Sequence, residues 1–335
     1  MQRPLHGDET SVGILRGYQG IIEFMNSSSE IIDPLGTTAL GTSDKPALVR
    51  MRMVLGYDGA AYNGWARQPN VTGVQQLVEE ALETLIRRLV RVFVAGRTDA
   101  GVHARHQVVH FDLTEEEYLG LPRNSDLEPG PALLRRINGL LGRQQGAVWV
   151  HEVDRAAEGF DARFSALARR YSYRIADGIH RWDPLNRQLT MWYREEIDID
   201  LLNAEAQSVL GRHDFLSFCK PKPRATTIRT LQEFEFSRAE DGNIVVHLKA
   251  DAFCHNMVRS LIGGALRVAS GREQPGFLAE RLALMVRDSK SILAHPHPLV
   301  LEEVYYPDDA ELAARAALTR ARRDVSQTDS LKSLD

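Results

Sequence analysis

The order in which hydrophobic periodicity changes along the first half of the chain limits the fold more than any other feature. Val49 to Tyr57 is a β-rich run, and Val74 to Val90 then sets Val74, Leu77, Val78, Leu82, Leu85, Ile86 and Leu89 at helical spacing. Val92 to Ala95 and Gln107 to Leu113 return to strand-forming residues, Leu133 to Leu141 is again helical, and Ala147 to Val153 closes the series as a strand. Strand, helix, strand, strand, helix, strand is the order of a ferredoxin-like or split-βαβ unit.

The second half has a similar content. Arg170 to Ala176 reads as a strand and Asp200 to Leu210 as a helix, while Thr226 to Ser237 and Ile244 to Ala250 form a hairpin pair around the turn at Asp241 and Gly242. Helices are expected over His255 to Ala269 and Gly276 to Val286, and a last strand over Leu299 to Tyr305. The expected fold class is therefore α+β, with two ferredoxin-like halves sharing a mostly antiparallel central sheet. Residues 48–155 form the half that carries the candidate catalytic loop, and 156–307 form the other. Residues 1–47 hold no sustained period and read as a disordered extension, whereas 308–335 read as an exposed helix over AELAARAALTRARRD with a frayed polar tail.

Composition narrows the function classes. The 335 residues are 43% hydrophobic and 26% charged, with no apolar run near the roughly 18 residues of a membrane span. The opening MQRPLHGDET lacks the basic start and apolar stretch of a secretory signal, so a cytoplasmic location is expected. A formal net charge of −4 argues against a wholly basic nucleic-acid surface. The acidic excess lies in the terminal segments and the body from 48 to 307 is neutral, so any RNA surface must be a patch. Cys219 and Cys254 stand outside any CxxC or Cys/His ligand spacing and are expected as small core residues, not as a disulfide or zinc ligands. His295 and His297 have no further ligands in sequence, and neither GxxxxGK[ST] nor GxGxxG occurs, so neither a metal nor a cofactor is expected.

Chemistry concentrates in a few islands. GRTDAGVHA, Gly96 to Ala104, sets Arg97 and Asp99 between glycines that permit close backbone approach or positive φ. Such a loop presents a side chain, and Asp99 is the candidate; a plain turn is the alternative. Tyr57, Asp58, Tyr62, Trp65 and Arg67 of GYDGAAYNGWARQPNVTGVQQ suit stacking on exposed bases and contact with phosphates, or form a connection in which Trp65 is simply packed. FDARFSALARRYSYRI interleaves Phe160, Phe164, Tyr171 and Tyr173 with Arg163, Arg169, Arg170 and Arg174. On a strand, Tyr171 and Tyr173 share one face while Arg170, Ser172 and Arg174 share the other, which gives an aromatic and a basic face or a half-buried sheet with solvated arginines. Lys220, Lys222, Arg224 and Arg229 of CKPKPRATTIR form a phosphate-facing patch or a solvated loop. Arg259 falls among Met257, Val258, Leu261, Ile262 and Leu266 in a helical pattern and needs a partner, which a carboxylate such as Asp99 supplies.

Taken in order from about Val49 to Tyr306, GRTDAGVHA, YDGAAYNGW, ARFSALARRYSY, the HDF and SF pairs of GRHDFLSF, and FCHNMVRSLIGG resemble the tRNA pseudouridine synthase A family. The resemblance implies isomerisation of uridine to pseudouridine at positions 38 to 40 of the tRNA anticodon arm, without a cofactor, by a homodimer. It implies Asp99 as nucleophile, Tyr171 as the active-site tyrosine beside the target base, Arg259 as the ion-pair partner of Asp99, and Arg97 as a residue that holds the target nucleotide out of its stem. Arg170 and Lys220 are expected as further substrate contacts. An opposite charge favours the ionised form of a carboxylate, and that form is the nucleophile. Ala66 stands where many relatives have glutamine, and Pro298 where they have glycine. Two rival classes are a non-catalytic RNA-binding module, which leaves the Asp99 loop and Arg259 without a purpose, and a glycosidase-like hydrolase, which lacks a second carboxylate clearly paired with Asp99.

Overall fold

A computed structural model describes residues 47–222 and 225–321. In the first part β1 (Leu48–Tyr57), α1 (Val74–Ile86), β2 (Phe93–Val94), β3 (His103–Thr114), α2 (Glu115–Leu119), α3 (Pro129–Leu141) and β4 (Val148–Arg155) follow in order. Then come β5 (Ala168–Asp177), β6 (Met191–Tyr193), α4 (Ile199–Gln207), β7 (Gly211–Asp214), β8 (Ile228–Arg238), β9 (Ile244–Ala250), α5 (Met257–Ala269), α6 (Phe277–Leu284), β10 (Leu299–Tyr305) and α7 (Leu312–Ala321). The class is α+β, built on one ten-stranded sheet. Its neighbours run β4-β1-β3-β10-β5-β9-β8-β7, with β2 on β3 and β6 on β5. Pairing is antiparallel throughout except for β10 with β3 and β5 with β6.

Alternation in β1 explains its place in the centre of the first part. Met51, Met53 and Leu55 are buried on one face, while Arg50 faces Asp112 in the register of β3 and forms a bidentate pair with it at 2.8 and 2.9 Å. In α1 the stripe Val74, Val78, Ala81 and Leu82 is buried, but the helix stops at Ile86 because Arg87 adopts a left-handed conformation, φ 68°. Leu89 keeps the helical spacing beyond that point yet is exposed, which is why periodicity alone ran the helix on to Val90. The edge pieces β6, β7 and α2 escaped sequence reading because each has five residues or fewer.

Three expectations about the rest of the chain meet the structure differently. The extension expected over 1–47 lies outside the described residues, save Ala47, as does the frayed tail beyond residue 321. The helix expected to be exposed near the C-terminus is docked by one face: Leu312 and Ala316 of α7 are buried, and Ser165 Oγ donates to the carbonyl of Leu312 at 3.1 Å. Its alanine-rich sequence hides a contact surface of small residues, since Ala313 lies against Gly159 so closely that a Cβ there would sit 2.4 Å from it. Cys219 and Cys254, expected as separate core residues, pair as a disulfide with their Cα atoms 5.7 Å apart. Folding brings the segment after β7 against the entrance to α5, a juxtaposition that a spacing of 35 residues does not announce.

His110, in β3, carries a pH dependence. It is buried, accepts from the Ala162 N–H at its Nδ1 (3.0 Å), and stacks on Phe93 with 5.0 Å between ring centres. Burial first, and then the Arg50 charge, lowers its pKa to about 4. The unfolded chain protonates this imidazole near pH 6.5 and so binds more protons than the fold does between these values. Its stabilising contribution is complete above pH 6.5 and is lost as pH falls toward 4, by at most about 3 kcal/mol. Urea unfolding across this range should show His110→Gln with a flatter pH dependence than the unmodified protein.

Candidate active site around Asp99

Asp99 lies in the loop between β2 and β3, and that loop is gripped by the island that follows β1. Tyr57 Oη and Thr98 Oγ1 are hydrogen-bonded at 2.8 Å, the Trp65 backbone N–H donates to the Thr98 carbonyl at 3.1 Å, and the Gly101 N–H donates to the Tyr62 carbonyl at 3.3 Å. Gln107 Nε2 donates to the Gly96 carbonyl (2.8 Å) and to Tyr57 Oη (3.2 Å). Two glycines of the island make this approach possible. A Cβ on Gly59 would sit 2.0 Å from the Val102 carbonyl oxygen, and one on Gly64, where φ is +84°, would sit 2.8 Å from that of Thr98. Buried Tyr57, Tyr62 and Trp65 are therefore packing residues, which decides between the two readings of this island. Burial pushes the Tyr57 phenol up to about 12.

Two more residues lock the loop further: Arg169, read from sequence only as one of the arginines of its island, and His103, which sequence reasoning did not single out. Arg169 is buried, and its guanidinium donates to the carbonyls of Ala95 (2.8 Å), Arg163 (3.0 Å) and Asp251 (2.8 Å), tying the start of the loop to two other segments. Strand alternation held the signal, since Arg169 is two residues from Tyr171 and shares its face. His103 accepts from the Gly59 N–H at Nδ1 (3.1 Å) and donates from Nε2 to the His297 carbonyl (2.8 Å), so it joins the island, the loop and the segment before β10.

The Asp99 carboxylate is half-buried between two nitrogen groups. Arg259 Nη1 is 3.8 Å from Oδ2, and His255 Nε2 is 3.5 Å from Oδ1. Both separations exceed a good hydrogen bond, so the carboxylate is flanked by these groups while its lone pairs stay available to a reacting atom. Arg259 is itself fixed, since Nε donates to the Ala294 carbonyl at 2.8 Å. Tyr171 is buried on β5 with its ring edge-on to Phe253, 5.2 Å between centres. Burial, then the neighbouring Tyr57 and Asp99, raises its pKa far above the ordinary phenol value, so it stays a neutral hydroxyl.

Of the remaining candidates, Arg97 is exposed two residues before Asp99. Lys220 is also exposed, and its backbone N–H donates to the His255 carbonyl at 2.8 Å, which sets the basic segment beside the same site; Pro223 and Arg224 of that segment lie outside the described residues. Arg170 is not brought to Asp99. It points to the other face of β5, where its guanidinium donates to Tyr305 Oη (3.0 Å) and Glu303 (3.2 Å). On that face Ser172 bonds Glu302 and Arg174 bonds Asp241, so the expected basic face is neutralised by acids on adjacent structure. His255 was missed as a site residue, although it stands in the same FCHNMVRSLIGG island as Arg259.

A family model described as tRNA pseudouridine synthase matches residues 206–307. A tRNA pseudouridine synthase A of Streptomyces avermitilis is 45% identical over 285 residues, 84% of this chain and 96% of that protein. The corresponding protein of Streptomyces griseus is 47% identical over 84% of this chain and 96% of its own length, and that of Bifidobacterium longum is 38% identical over 83% and 100%. Among solved structures, a Cbf5-Nop10-Gar1 complex shares 9% identity over 68% of this chain and 54% of that one at a TM-score of 0.26, too slight a likeness to carry any argument. Among the described residues no helix is long and apolar enough to cross a membrane. With relatives of this identity aligned along more than four-fifths of it, the chain belongs to the tRNA pseudouridine synthase A family.

Proposed function

We propose that this protein isomerises uridine to pseudouridine at positions 38 to 40 of the tRNA anticodon arm, with Asp99 as the nucleophile. Family membership supports the substrate and the reaction, and the observation that carries the residue assignment is the Asp99 carboxylate on its clamped loop, with Arg259 3.8 Å away. The bond from the ribose to N1 breaks, the base turns, and a new bond forms to C5. Uracil leaves as an anion, so the change needs no redox partner. Extruding the target nucleotide costs a few kcal/mol, and we assign Arg97, exposed two residues before Asp99, to hold it out. Neutral, buried Tyr171 offers the base a ring face and a hydroxyl. Exposed Lys220 and Lys222 supply charge for the tRNA backbone.

The same reading extends to architecture and assembly. β4-β1-β3 with β2, and β10-β5-β9-β8, follow one strand order, which supports two related ferredoxin-like halves over 48–155 and 156–307. We extend the proposal to a homodimer that shares one tRNA, for which family membership is the support. Incubation with unmodified tRNA carrying uridine at 38, 39 and 40, followed by nucleoside analysis and mapping, should find pseudouridine at those positions. Tight tRNA binding with no pseudouridine at any of them would make the chain an RNA-binding module instead.

A further inference from the structure

The reaction proposed above ends with a proton to remove. When the anomeric carbon has bonded to C5, that carbon still carries its hydrogen. Conjugation of the ring returns only when the C5–H bond breaks and its electron pair goes back into the ring. The proton passes to a base and on to solvent, and N1 takes one in exchange, so the product is an isomer of the substrate. The bond to C5 forms as the bond between Asp99 and the anomeric carbon breaks, so Asp99 leaves as a carboxylate, a class of group ordinarily a weaker base than a neutral imidazole, and Tyr171 remains a neutral phenol that is a poor acceptor. Among the described residues His255 and Arg259 flank Asp99, with His255 Nε2 3.5 Å from Oδ1, and of the two the imidazole is the group that accepts a proton near neutral pH.

His255 sits between β9 and α5, held through its carbonyl by the Lys220 N–H, with its side chain 30% exposed and its Nε2 facing Asp99. An atom at attack distance from Asp99, about 3–3.5 Å, lies within reach of Nε2 directly or through one water. We propose that His255 is a further catalytic residue of the isomerase, the base that takes the proton from C5 after the new carbon–carbon bond forms. This rests on the isomerase reading itself. In the tautomer required, Nδ1 carries the hydrogen and Nε2 presents its lone pair; Nδ1 has no hydrogen-bond partner among the described residues. Among the described residues the charged groups around the ring are Asp99 from the catalytic loop, Lys220 and Lys222 from the segment after β7, Arg287 from the segment after α6, and Arg259 across the Asp99 carboxylate. Burial lowers the His255 pKa below 6.5, Asp99 opposes this, and Lys222, Lys220 and Arg287 add to it. The ring is therefore neutral, and able to accept a proton, at pH 7.

Single-turnover rates on tRNA bearing hydrogen or deuterium at C5 of uridine test the assignment in the unmodified protein and in His255→Gln. Removing a positioned base should slow the variant about 100-fold and make C5–H cleavage limiting, so that a primary isotope effect emerges where the unmodified protein shows little. Lowering the pH through the His255 pKa should bring out the same isotope effect in the unmodified protein, a measurement that needs no variant. An unchanged rate in His255→Gln, a slower rate with no isotope effect, or no rise in the effect at low pH overturns the assignment. Absence of pseudouridine from the unmodified protein at every pH would instead remove the isomerase reading on which it stands.

Discussion

Asp99→Asn should lower pseudouridine formation by about 10⁴-fold or more while leaving the fold and tRNA affinity in place. The substitution keeps the shape of the side chain and removes the nucleophile, since a neutral amide attacks neither the sugar nor the base. Structural damage is small for a specific reason. The nearest partners of the carboxylate, His255 at 3.5 Å and Arg259 at 3.8 Å, are both beyond hydrogen-bond length, and Arg259 retains its bond to the Ala294 carbonyl. The change in stability should accordingly stay within about 0.5 kcal/mol, the range for substitutions away from buried networks. Single-turnover kinetics, filter binding and thermal unfolding on one preparation separate these effects. A variant that lost affinity together with activity would mark Asp99 as a binding residue.

Trp65→Ala should destabilise the protein by about 3–5 kcal/mol, the usual cost of deleting a buried aromatic side chain. Trp65 is 1% exposed, packs 5.9 Å from the Tyr57 ring, and belongs to the segment whose backbone holds Thr98. A loss of that size is a large share of a typical folding free energy, and the Asp99 loop should loosen with it. Urea denaturation checks the prediction. If Trp65 served as a stacking platform for RNA, the midpoint would hold and tRNA affinity alone would fall.

The contrast between these two residues shows what the sequence could and could not tell. β9 and β10 run from Ile244 to Ala250 and from Leu299 to Tyr305 as expected, because each is rich in β-branched and other apolar residues and is bounded by turn or loop residues. β3 begins at His103, four residues before the expected start, because His103, Arg105 and His106 do not resemble strand formers. Arg259 advertised its need for a partner by being a lone charge in an apolar helix, and Asp99, 160 positions earlier, stands beside it. Alternation separated Arg170 from Tyr171, yet Arg170 was still expected at the substrate; its acidic partner Glu303 lies on a strand far away in sequence. Whether an aromatic on a glycine-rich loop faces solvent or core depends on what packs over it, and Trp65 is buried beside the Tyr57 ring in a segment whose backbone is bonded to the Asp99 loop.

Release of tritium from C5 of uridine in unmodified tRNA is the most direct measurement of the central claim, because forming the new carbon bond displaces that hydrogen into water. The intact protein should release the label and Asp99→Asn should not. Release by both, or by neither despite tight tRNA binding, would contradict the assignment of Asp99 as the nucleophile of an isomerase.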